Sequence, residues 1–264
     1  MSDGKIAVAG GPAAMGHAAE AGVAIGTAAV VHAWPWEPDQ GVAAKLAIGS
    51  LQTFFLRSLA RDGRLQLETL FCTVGALAGF AAQHALRQDD LCAARGTEAD
   101  AFVAVESENG ERLNAMLVPH RLEDLTVWSV VAGEAMRLGT AQRDLPDCVE
   151  IFERVAKSVG RPDFGIPRVT AGHEPWLMPR RAVEIFWPPV RTAFTREPVV
   201  PVPGFKLVEP RHWPLALAVV GAGYLSLAKD RFAPALAVAL FMEAAIPMSK
   251  IDPGAIKFAG SPAH

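Results

Sequence analysis

The sequence predicts a mainly α-helical protein, a single domain of about seven helices with one small β-hairpin near residues 101–117. Three observations carry this. Apolar residues recur at helical spacing along most of the chain, Gly or Pro punctuates the ends of those segments, and a β-rich alternating pattern occurs once, around Asn109-Gly110. The 264 residues are 51% hydrophobic and 20% charged, enough apolar material for a large helical core or an apolar interface between copies.

Residues 1–36 are rich in Ala and Gly and read as a weakly ordered N-terminal arm, followed by a helical domain over 37–250 and a C-terminal tail over 251–264. The first helix is expected over Gly41 to Asp62, where Leu46, Ile48, Leu51, Phe54, Phe55 and Leu59 recur with helical period and Gly63 ends the run. Arg64 to Arg87 follows as a second helix, apolar nearly all round and hence central. Its Gly75-x-x-x-Gly79 face is an instruction for close helix packing. The hairpin is expected from Ala101–Glu106 and Glu111–Leu117, joined through Asn109-Gly110. Leu125 to Leu138 is a helix stopped by Gly139, and Pro146 to Val159 another, with Pro in its first turn and Gly160 beyond its end. Arg161 to Met178 reads as a long irregular connection. Pro179 opens a short helix expected to break at Pro188-Pro189, and a second Pro-rich connector spans Glu197 to Pro210. Two apolar helices, Pro214 to Ala228 and Phe232 to Ile246, complete the chain as an antiparallel pair.

None of these apolar segments reads as a membrane span. The run in the second helix stops at Gln83 and His84, and the last two helices, at 15 residues each, cover about 22 Å against a hydrocarbon core of ~30 Å. Asp3, Glu20 and the glycines at 10, 11 and 16 break the pattern of a signal peptide. Cys72, Cys92 and Cys148 show no paired spacing, which suits a reducing compartment, and the expected location is the cytoplasm. A net charge of −3 with scattered arginines gives no footprint for nucleic acid.

Familiar chemistry is mostly ruled out by spacing. Lys5 to Ala18 resembles a strand and glycine loop, but His17 and Ala18 stand where a phosphate loop needs Lys and Ser or Thr. The seven histidines are far apart and there is no Cys pair, so neither a metal site nor a cofactor is expected. Cys72 and His84 share a helix but lie about 18 Å apart along it, too far to act together.

Three lone acids interrupt apolar helices: Glu68 in LQLETLF, Glu134 in VVAGEAM and Glu243 in ALFMEAA. A carboxylate in a core must be paired, hydrogen-bonded or neutralised. The ordinary reading is a structural ion pair, with Arg57, Arg61, Arg64 or Lys229 as partners; the sharper one is a general base or a ligand-anchoring acid in a pocket between helices. His173-Glu174, ahead of Trp176 in the irregular connection, is the other candidate acid–base group, set against the plainer reading of an exposed loop docked by its tryptophan. The candidate catalytic residues are therefore Glu68, His173, Glu174 and Glu243. Five of the six tryptophans adjoin a proline, a pattern that fits connectors pinned over the core better than an aromatic-lined groove.

The segments GALAGFAAQHAL, FGIPRVTAGHEPW and AAIPMSKIDP together resemble an uncharacterised bacterial protein family over roughly residues 60–260. The resemblance implies one shared architecture and no activity, so no functional residue is carried over from it. The expectation is a non-catalytic helical protein that binds a small ligand or a protein partner, with a homodimer favoured by the apolar excess and the small-residue helix face, both of which an all-buried core would also explain. Two further readings stay open, a small-molecule enzyme using Glu68 or His173/Glu174 as acid–base groups and a membrane-associated protein inserting its last two helices.

Overall fold

The computed structural model describes residues 5–7, 40–88, 102–104, 112–114, 117, 125–199, 202–251, 253 and 256–258. The rest of the N-terminal arm, Cys92, the Asn109-Gly110 turn and most of the C-terminal tail lie outside these residues. The protein is mainly α-helical, as the sequence predicts. Its described elements in chain order are β1 (Lys5–Ala7), α1 (Gly41–Leu59), β2 (Arg64–Gln66), α2 (Leu67–Gln88), β3 (Phe102–Ala104), β4 (Arg112–Asn114), α3 (Val127–Arg137), α4 (Cys148–Ser158), α5 (Pro179–Thr195), α6 (Trp213–Ala228) and α7 (Pro234–Met248). Strands β3 and β4 pair antiparallel with Val103 opposite Leu113, the hairpin arms the Asn-Gly signal implied.

Helix α2 organises the core. Every residue from Leu67 to Ala85 is buried, and the helix packs most extensively on α7 and then on α6. Gly75 and Gly79 make the α7 contact possible. A Cβ at Gly75 would lie 2.8 Å from Phe241 Cα, and one at Gly79 2.9 Å from Ala245 Cα, with the adjacent carbonyl oxygens closer still. The small-residue face is thus filled by a helix of the same chain and carries no argument for a dimer. Helices α6 and α7 meet each other only sparsely, since each is spent on α2 rather than on an antiparallel partner. Among the described residues, no helix is long and apolar enough to cross a membrane.

Local chemistry explains most helix ends. Asp62 and Gly63, at φ 50° and 71°, turn the chain between α1 and β2. Thr126 caps α3 in a reciprocal pair with Ser129: the Ser129 N–H donates to Thr126 Oγ1 (3.1 Å) and the Thr126 N–H to Ser129 Oγ (2.7 Å). Asp147 caps α4 by accepting from the Val149 N–H at 2.8 Å.

Three expectations are corrected. Arg64–Gln66 is strand rather than the first turn of α2, because Lys5–Ala7 pairs with it antiparallel and supplies a ladder. Helix α4 starts after Asp147, so Pro146 precedes the cap instead of sitting in the first turn. Helix α5 runs through Pro188-Pro189 to Thr195. Two prolines remove two backbone donors, but Phe186, Trp187, Val190 and Phe194 are buried on both sides of them, and that packing holds the helix together.

Candidate functional site

The 161–178 connector has no helix or strand, yet it is fastened to the core along much of its length. Near its start, Glu243 of α7 accepts from the Arg168 N–H at 3.0 Å and from the Arg154 guanidinium of α4. Further on, the connector lies along the first turns of α2. Gln66 Nε2 donates to the Glu174 carbonyl (2.9 Å), while the Trp176 N–H donates to Gln66 Oε1 (2.9 Å) and to Thr69 Oγ1 (2.8 Å). The Cys72 thiol reaches the Leu177 carbonyl at 3.8 Å. Residues 173 to 177 thus lie along residues 66 to 72, held by side-chain bonds that stand in for the secondary structure the connector lacks.

Among these bonds His173 Nδ1 lies 2.9 Å from Glu68 Oε1. The carboxylate side chain is 4% exposed and the imidazole 32% exposed. A carboxylate accepts, so the proton of a neutral imidazole sits on Nδ1 and Nε2 carries the lone pair. Glu68 occupies the first turn of α2, where the helix dipole favours a negative charge. Phe232, from the link between α6 and α7, stands edge-on to the imidazole with ring centroids 6.0 Å apart, and stacks on Phe71 behind it at 5.8 Å. The structure therefore brings together two of the candidates, Glu68 and His173, from positions 105 residues apart.

The other candidates are elsewhere. Glu174 turns away from its neighbour and accepts from the Gly172 N–H at 3.0 and 3.2 Å, closing a turn in which Gly172 takes φ 91°. Glu243 belongs to the Arg154/Arg168 cluster. Burial pushes its carboxyl above the ordinary value, against the pull of the Arg168 N–H and the Arg154 charge. Glu134 accepts from Arg137 at 2.6 and 2.7 Å and from the Ser226 hydroxyl. Burial alone would raise the Glu134 carboxyl, but these hydrogen bonds and the guanidinium charge outweigh it and hold it below the ordinary value. Buried Glu68 and Glu243 and half-buried Glu134 are all partnered, but by His173, Arg154 and Arg137 rather than by Arg57, Arg61, Arg64 or Lys229. Arg154 and Arg168 carried no signal in the sequence, each being an ordinary charge outside the apolar helices.

The thiols of Cys72 and Cys148 are free. Burial lifts the Cys72 thiol far above its ordinary value and pushes Cys148 up to about 12, with Asp147 and Glu243 adding to the second. Neither is a nucleophile at neutral pH. No group of three His, Cys, Asp or Glu gathers in metal-binding geometry among the described residues.

Two sizeable concavities lie among the described residues. One, of about 310 Å³, lies beside α4 and mixes Glu150 and Glu153 with Lys157, Arg161 and Arg168. The other, of about 370 Å³, runs between α1 and α5 and is bordered by residues 196–199, Phe205 and Leu207 of the connector. Its walls are Ala43, Leu46, Leu51, Phe54, Phe194 and Phe205, with a few polar groups at the edge. At this groove Leu46 is 53% and Val199 88% exposed. Trp187 and Trp213 lie in the core: Trp213 stacks on Phe194 at 5.1 Å and donates from Nε1 to the Val208 carbonyl at 2.8 Å, pinning the end of that connector. Comparison with family models, curated proteins and solved structures found no match to this chain.

Proposed function

We propose that the protein works by binding, and that its working surface is the groove between α1 and α5. The observation that carries this reading is an apolar concavity of about 370 Å³ with large aliphatic side chains, Leu46 and Val199, left in water at its edge. Small-molecule sites fall at about 300–1,000 Å³ and combine apolar walls with a few polar groups. Here Ser50, Thr192, Arg196 and Glu197 supply the polar groups. The ligand is a small, mainly apolar molecule or an apolar segment of a protein partner, a second copy of the chain included. The free thiols, Cys72 buried and Cys148 half-buried, agree with a reducing compartment such as the cytoplasm.

The test is a titration with the apolar dye 8-anilinonaphthalene-1-sulfonate. The native protein should bind about one dye per chain, as one groove of this size requires. Leu46→Glu should abolish that binding while shifting stability by no more than about 0.5 kcal/mol, because the side chain is already half in water. Dye binding that survives Leu46→Glu unchanged would rule the groove out.

A further inference from the structure

We propose that His173, held by Glu68, is a proton-accepting site for a small molecule that carries a hydroxyl group. The proposal is independent of the groove and rests on three features of the Glu68–His173 contact.

The first is redundancy. The connector is already fixed to α2 by the bonds of Gln66 and Thr69 to Glu174 and Trp176, a few residues beyond His173. A tether alone does not need a buried carboxylate spent on an imidazole. The second is asymmetry of exposure. Glu68 is enclosed at 4% exposure, so it orients and does not meet solutes, whereas His173 keeps 32% of its side chain open. The third is orientation. With Nδ1 donating to Glu68 at 2.9 Å, the ring nitrogen that carries the lone pair is Nε2. A carboxylate that fixes the tautomer and stabilises the imidazolium is what general-base histidines require. Phe232, itself buried, packs edge-on against the ring and helps to hold the imidazole in place.

The step is a simple one. The ligand O–H bond breaks as an N–H bond forms at Nε2, leaving a nucleophilic oxygen on the ligand and an imidazolium whose Nδ1–H remains on Glu68. The proton returns from Nε2 to the same oxygen before the ligand leaves, so atoms and charge balance with no oxidant, reductant or second reactant.

Diethyl pyrocarbonate tests the site on the full chain, since it acylates only an unprotonated, accessible ring nitrogen. Mass spectrometry of the wild type should show His173 carbethoxylated faster than free N-acetylhistidine. Glu68→Gln should slow that reaction about 10-fold or more, the scale on which carboxylate partners of histidines act. Nitrogen-15 NMR of the unmodified wild type should show the Nδ1–H tautomer, which needs no variant and so does not depend on Glu68→Gln folding. An Nε2–H tautomer, or a His173 that reacts no faster than N-acetylhistidine, overturns the proposal.

Discussion

Glu134 and Glu243 each accept from an arginine, yet their proton affinities move in opposite directions. Glu134 is held low by Arg137 and Ser226, whereas burial wins at Glu243. The consequences for stability have opposite signs. A lowered folded-state pKa adds stability above the ordinary carboxyl range that is lost as pH falls through the folded value. A raised one adds stability at low pH that is lost as pH rises from the unfolded value to the folded one. Glu134→Gln should therefore cost more at pH 7 than at pH 3, and Glu243→Gln more at pH 3 than at pH 7, read from urea midpoints at the two pH values. Truncation is a separate matter. Glu243→Ala strips Arg154 and the Arg168 N–H of their acceptor and should cost about 3–5 kcal/mol by urea unfolding, because it leaves a mostly buried guanidinium unpaired. The thiols give a chemical readout: Cys72 and Cys148 should resist iodoacetamide at pH 8 in the folded state and react on unfolding. The three acids were visible in the sequence because a lone carboxylate in an apolar helix stands out. Their partners were visible only in part. Arg137 is one turn from Glu134, but Arg154 and His173 lie 89 and 105 residues from the acids they meet, and no local pattern encodes such a pairing.

At the scale of elements, glycine substitutions separate packing from propensity. Gly75→Ala and Gly79→Ala each place a methyl group inside the backbone of α7 and should cost about 3 kcal/mol or more, or prevent folding, since the obstacle is main chain and cannot rotate away. Gly133 in α3 has nothing within 4 Å of where its Cβ would be, so Gly133→Ala should stabilise the protein by about 0.5–1 kcal/mol. Thermal melts of the three variants would show the split. The Gly75/Gly79 face was legible because helical spacing alone puts both residues on one side. The continuation of α5 through Pro188-Pro189 was not. Proline chemistry predicts a break there, and only the burial of Trp187, Val190 and Phe194 by distant parts of the chain overrides it. The pairing of Arg64–Gln66 with Lys5–Ala7 was hidden for the same reason, because a three-residue strand exists only when its partner arrives.

For the molecule as a whole, the helical class was written into the sequence through periodicity and stop signals, which depend on neighbours a few residues away. The Glu68–His173 site and the groove depend on which helices meet, and so came only with the packing. That packing also joins regions that look separate. Phe241 and Ala245 of α7 touch the glycines of α2, and Glu243, lying between them in sequence, reaches out to Arg168 of the connector. The same connector is bound at His173 to Glu68, on the first turn of α2. Helix α2, helix α7 and the connector thus form a closed triangle with one side made of loop. Its two helical sides meet backbone to backbone and cannot slide without collision. The loop is therefore strung between two anchors at a fixed span, and its reach sets where the His173 ring stands over Phe232. A one-residue insertion or deletion between Arg168 and His173 should displace the imidazole while leaving every helix in place.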